Sequence, residues 1–93
     1  VLPSSAFQKW HQRAQNALGR LQRVEDVQCV EITFYAATAR KYDLSNHAES
    51  VMDLLVDCGV LEDDNWSVVP ELRIIHGGKD AQNPRAEVII HTK

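Results

Sequence analysis

The chain has 93 residues and a formal net charge of -3, enough for one small domain with a thin stability margin. Its 44% hydrophobic and 25% charged residues are those of a globular protein, and no apolar run approaches the roughly 18 residues of a membrane span. The acidic balance speaks against indiscriminate nucleic-acid binding, but leaves room for a nucleic-acid enzyme whose acids gather at a metal site. There is no signal-peptide pattern. Cys29 and Cys58 form no CxxC and read as buried free thiols of a cytoplasmic protein.

The first predicted element is a helix over 5–23. Ser5 with Gln8 makes a capping box, and Phe7, Trp10, Ala14, Leu18 and Leu21 recur at three- and four-residue spacing. Arg13, Arg20 and Arg23 make this segment basic. A strand follows in VQCVEITFYAA, with Val30, Ile32 and Phe34 on one face and Cys29, Glu31, Thr33 and Tyr35 on the other. Residues 38–43 read as a basic loop. A second helix is expected over 46–58, with Ala48, Val51, Met52 and Leu55 as its core stripe. Asn46, Glu49, Asp53 and Asp57 lie on a polar stripe, and Gly59 is the left-handed residue that ends the helix.

An acidic turn leads into WSVVPELRIIHGG, a strand that Pro70 confines to an edge or a bulge. Gly77 and Gly78 then open a loop through Pro84, and RAEVIIHT closes the chain as the partner strand of a hairpin. The order α-β-α-β-β predicts an α+β domain over 1–93, a small mixed or antiparallel sheet with two helices packed on it.

Carboxylates gather at both ends of the second helix: Asp43 before it, and Glu62, Asp63 and Asp64 after it. Two readings stand. Hard divalent cations take oxygen ligands, commonly one or two carboxylates plus water and phosphate. Equally, an acid before a helix complements its dipole, Asn46 with Glu49 has capping-box spacing, and EDDN is an ordinary turn. His11, His47, His76 and His91 lack zinc-ligand spacing, with His76 facing His91 if the last two strands pair. No nucleophile elbow, P-loop or dinucleotide fingerprint is present.

The stretch DLSNHAESVMDLLVDCGVLEDDNWSVV resembles the signature of the RusA family of Holliday-junction resolvases, which is approximately Asp-Leu-Asp-Asn, a helix with an Asp, Gly with an apolar pair, then Asp-Asp and a strand. Asp43, Leu44, Asn46, Asp53, Gly59, Asp63 and Asp64 carry the match, which is close over 40–69. The resemblance implies a RusA-like fold and a homodimeric, magnesium-dependent endodeoxyribonuclease, commonly prophage-derived, with manganese as a substitute metal. Such an enzyme resolves four-way DNA junctions in recombination and repair by paired incisions.

Residue by residue, the resemblance makes Asp43 and Asp64 the metal-binding catalytic aspartates, with Asp63 beside them. Arg40, Lys41 and Asn46 become the expected DNA contacts. The chain departs from the pattern at Ser45, where the family has a second acid, and at Glu49, where its best-known branch has a lysine. Glu49 lies one helical turn from Ser45 and can return the lost carboxylate from the same face, as a further metal and catalytic residue. The family's N-terminal strand and basic loop have no counterpart before the first helix, so the domain is expected to lack them. The alternative reading is a non-catalytic, dimeric DNA-junction or protein-binding descendant of the same fold.

Overall fold

The structure is a computed structural model, and it describes residues 21–93. The predicted first helix therefore lies mostly outside the described residues, and its last part, 21–23, is irregular chain. Three strands and one helix follow: β1 Val27–Ala36, α1 Leu44–Asp57, β2 Leu72–Lys79 and β3 Arg85–Thr92. The result is a small α+β domain with a mixed sheet of order β2-β1-β3.

Strand β1 is central, and of its ten residues five are buried and only Gln28 is exposed. Val30 and Ile32 are fully buried, and Val27, Cys29 and Phe34 nearly so. It pairs parallel with β2 and antiparallel with β3. Opposed residues share a face, so Val30, Ile32 and Phe34 lie with Ile74 on one side and with Ile90, Val88 and Ala86 on the other. The apolar stripe of α1 (Ala48, Val51 and Met52) joins these residues in one core with Val60, Leu61 and Val69.

Both cysteines are free and buried, as their apolar settings suggested. Burial pushes the Cys29 thiol up, with the Glu71 carboxylate adding to the effect. No helix among the described residues is long and apolar enough to cross a membrane.

Three local expectations give way. The last two strands do not form a hairpin, because β1 runs between them. His76 instead stands opposite Phe34, and His91 opposite Cys29. The short β2–β3 link crosses the end of β1, pinned where Asp80 N donates to Ala36 O at 2.8 Å and Arg85 Nη1 donates to Asp80 Oδ2 at 2.8 Å. The Arg85 guanidinium lies 4.0 Å over the Tyr35 ring at the same corner.

The two glycines are not loop either. Gly77 and Gly78 belong to β2, where the register slips by one residue opposite Phe34 and Tyr35. A Cβ on Gly77 would stand 2.7 Å from Tyr35 Cε1 and 2.8 Å from Thr33 Cγ2, so only glycine fits this bulge. Finally, the strand after the acidic turn begins at Leu72, and 66–68 form a turn instead. Pro70 lies two residues before the strand rather than within it, so it places no constraint on β2, which is an edge of the sheet for other reasons.

Candidate functional site

The N-terminus of α1 is built around Asp43. Its backbone is extended (φ -88°, ψ 110°), and its carboxylate accepts from the first-turn amides, as an N-cap does. Ser45 N donates to Asp43 Oδ1 at 3.0 Å, Ser45 Oγ at 2.7 Å and Asn46 N at 3.3 Å. The cap is therefore Asp43, and the predicted capping box of Asn46 with Glu49 does not form. Asn46 is already inside the helix, where its carbonyl accepts from Ser50 Oγ at 3.1 Å. The three cap bonds all fall on Oδ1. Led by the Ser45 hydroxyl and then the Asn46 amide, they hold the Asp43 carboxyl below the ordinary carboxylate range.

An aromatic group braces this cap. Tyr42 occupies the residue before the cap and His47 the fourth helical position, the spacing of a hydrophobic staple. Their rings lie 5.0 Å apart, and Phe34 of β1 stands 6.5 Å from Tyr42 and 5.8 Å from His47, edge to face. His47 Nδ1 donates to the Asp43 carbonyl at 2.9 Å, which assigns its proton to that nitrogen. The Tyr42 hydroxyl meets His76 Nδ1 on β2 at 2.6 Å. Sequence reasoning missed this cluster. The staple spacing of Tyr42 and His47 was a usable signal for two of its members. His76 joins them only through the parallel pairing of β1 with β2.

The other candidates lie in exposed positions. Arg40 and Lys41 stand on the loop that leads to the cap, and Arg40 N donates to Thr38 Oγ1 at 3.2 Å. Glu49 sits on the exposed polar stripe of α1 with Asn46 and Asp53.

At the opposite end α1 stops in a Schellman motif. Val60 N donates to Leu55 O and Gly59 N to Val56 O, both at 3.0 Å, with Gly59 at φ 82°. The chain then enters the acidic turn. Asp63 Oδ1 accepts from Asp64 N at 2.7 Å, and Asp63 Oδ2 accepts from Asn65 Nδ2 at 3.1 Å. Asn65 in turn caps the next turn. Its Oδ1 accepts from Ser67 N and Ser67 Oγ, and its carbonyl accepts from Val68 N and Val69 N. With Val69 anchored in the core, this turn leaves Trp66 82% exposed.

Asp43 caps the start of the 14-residue helix, itself about 21 Å long, and the Asp63–Asp64 pair follows its exit. Among the described residues no group of three or more His, Cys, Asp or Glu is placed to hold a metal ion. The structure does not gather Asp43, Glu49, Asp63 and Asp64 into such a group within one chain. What it offers is an N-cap carboxylate before α1 and an acidic turn after it. Comparison of the chain with family models, curated proteins and solved structures finds no match in any of the three.

Proposed function

We propose that this chain is a RusA-like, magnesium-dependent endodeoxyribonuclease that resolves four-way DNA junctions as a homodimer. The observation that carries the reading is Asp43. Its Oδ1 is tied to the first turn of α1 by three hydrogen bonds, so the carboxylate is held ionised and oriented, and none of those bonds uses Oδ2. All the proposed donors (Asp43, Asp63, Asp64 and Glu49) are oxygens, the chemistry magnesium prefers. A bound magnesium would supply charge stabilisation at the phosphate and a water of lowered pKa. Arg40 and Lys41, exposed beside Asp43, would hold the phosphate backbone despite the acidic total.

A homodimer would give these acids a shared role. In this reading Asp43 of one protomer and Asp64 of its partner share a cation, and two-fold symmetry makes two equivalent sites for paired incisions. The exposed Trp66 lies on the turn that follows the acids and would pack against the second copy. Strand β1 is paired on both edges, so the contact falls elsewhere than on that strand.

Asp43→Asn and Asp64→Asn should each nearly abolish cleavage while folding and junction binding persist, since asparagine caps a helix as well as aspartate does. Mixing the two inactive variants should restore nicking. In a mixed dimer one shared site has both aspartates, whereas sites confined to single chains would all stay defective. Wild-type cleavage by either variant alone would remove that carboxylate from the site. No recovery in verified mixed dimers would overturn the shared arrangement.

A further inference from the structure

We propose that two copies of the chain pair antiparallel along the free edge of β2, which sets the acidic turn of each copy beside the basic loop of the other. The inference rests on the homodimer reading above and names the contact that this reading leaves open.

An edge strand presents a row of unpaired amides and carbonyls, a template for another strand. Both β2 and β3 are edges of the sheet, and among the described residues neither has a partner on its outer side. What separates them is what lies along each edge. Leu72 and Ile75 of β2 are 41% and 40% exposed, and Trp66, on the turn that leads toward the strand, is 82% exposed. Among the exposed large apolar side chains, β3 carries only Ile89. A small domain gains from covering surface of this kind.

Charge distinguishes the two edges further. Strand β2 runs from an acidic end to a basic one. Glu71 precedes it, and Glu62, Asp63 and Asp64 lie on the turn before that. Lys79 ends it. Arg40 and Lys41 come to the same end, because the hydroxyl of the adjoining Tyr42 bonds His76. All seven charged side chains are exposed. Among the described residues Arg40, Lys41, Lys79, Glu62 and Asp64 enter no salt bridge. An antiparallel copy therefore opposes unlike charges at both ends of the contact, the self-complementarity that a two-fold interface needs. Strand β3 has a cation at each end, Arg85 at its start and Lys93 just past its last residue. An antiparallel copy there would oppose like charges.

The bulge at Gly77 and Gly78 limits regular pairing of β2 to Leu72–His76, a stretch centred on Ile74. A two-fold axis at that point sets Ile74 against its own copy, Arg73 against the partner's Ile75 and Leu72 against the partner's His76. Opposed residues share a face of the sheet. The two sheets would then run on as one, with both copies of α1 on the same side.

The test is sedimentation equilibrium of the full chain, without DNA or metal. The wild-type chain should dimerise. Ile75→Lys adds a cation opposite the partner's Arg73 and should weaken the dimer by roughly 10-fold or more, with the far-ultraviolet circular dichroism of the chain unchanged. Ile89→Lys, the same change on the β3 edge, should leave the dimer as tight as wild type. Two charge-reversed chains test the apposition of the ends. Arg40→Glu with Lys41→Glu, and Glu62→Lys with Asp64→Lys, should each associate poorly with themselves. Their equimolar mixture should dimerise, because in the mixed dimer both ends again oppose unlike charges.

Wild-type association by Ile75→Lys, or loss of association in Ile89→Lys, would overturn the β2 contact. No recovery in the mixture would overturn the apposition of turn and loop, and the proposal with it. A monomeric wild-type chain would overturn both the contact and the homodimer reading. A chain that pairs along β2 but leaves a four-way junction intact with magnesium would uphold the contact and overturn the nuclease reading.

Discussion

Gly59 directs the chain from α1 into the acidic turn, and replacing it shows how firmly that junction is set. Its φ of 82° is left-handed, a conformation that costs a residue with a Cβ about 1–2 kcal/mol. Alanine also restricts the unfolded chain, which returns about 0.4–1 kcal/mol. Gly59→Ala should therefore destabilise the domain by about 1 kcal/mol. The loss should appear as a fall of roughly 0.5 M in the urea midpoint, taking a slope of about 2 kcal/mol/M, or about 4–8 °C in Tm. Gly59→Asn should cost less, because asparagine tolerates the left-handed region. Equilibrium urea unfolding followed by far-ultraviolet circular dichroism measures all three proteins. An unchanged midpoint for Gly59→Ala would mean that the Schellman geometry is not what ends α1.

If Glu49 stands in for the acid missing at Ser45, Glu49→Gln should lose most cleavage and need more magnesium, and adding Ser45→Asp should recover much of both. Superimposable magnesium titrations for wild type and Glu49→Gln would reject the compensation. Stability should fall at both ends of the pH scale. Asp43, held low chiefly by Ser45, Glu71 by Arg73 and Asp80 by Arg85 contribute stability that is present above the unfolded carboxyl pKa of about 4 and is lost as pH falls through their lowered folded values. Cys29, raised by burial, contributes stability that is complete below the unfolded thiol pKa of about 8.5 and is lost as pH rises toward its folded value. Unfolding curves across pH check both limbs, and Ser45→Ala should make the acid limb shallower. An acid limb identical to wild type would mean that Asp43 gains nothing from the Ser45 hydroxyl.

What the sequence made legible was local. The alternation in β1, the stripe on α1 and the exit at Gly59 each follow from a rule about neighbours in the chain, and each appears in the structure. What it hid was long-range order. Nothing local to IIHGGKD tells a hairpin loop from a bulged strand. The difference lies in Tyr35 and Thr33, some forty residues earlier, which leave no room for a side chain at Gly77. The same topology carries His76 to Tyr42. The cap moved by three residues because an aspartate at 43 competes well with an asparagine at 46 and also recruits the Ser45 hydroxyl. The acidic clusters were legible as clusters. The helix α1 lies between them in the chain, and in the proposed reading the second protomer completes the site.

The most direct test of the account is cleavage by the wild-type chain of a synthetic four-way junction and a linear duplex of the same sequence, with magnesium and with chelator. The account predicts paired, symmetric incisions in the junction, dependent on magnesium, and little or no cutting of the duplex. A chain that is folded and dimeric but leaves the junction intact at any magnesium concentration would contradict it, as would equal cutting of junction and duplex.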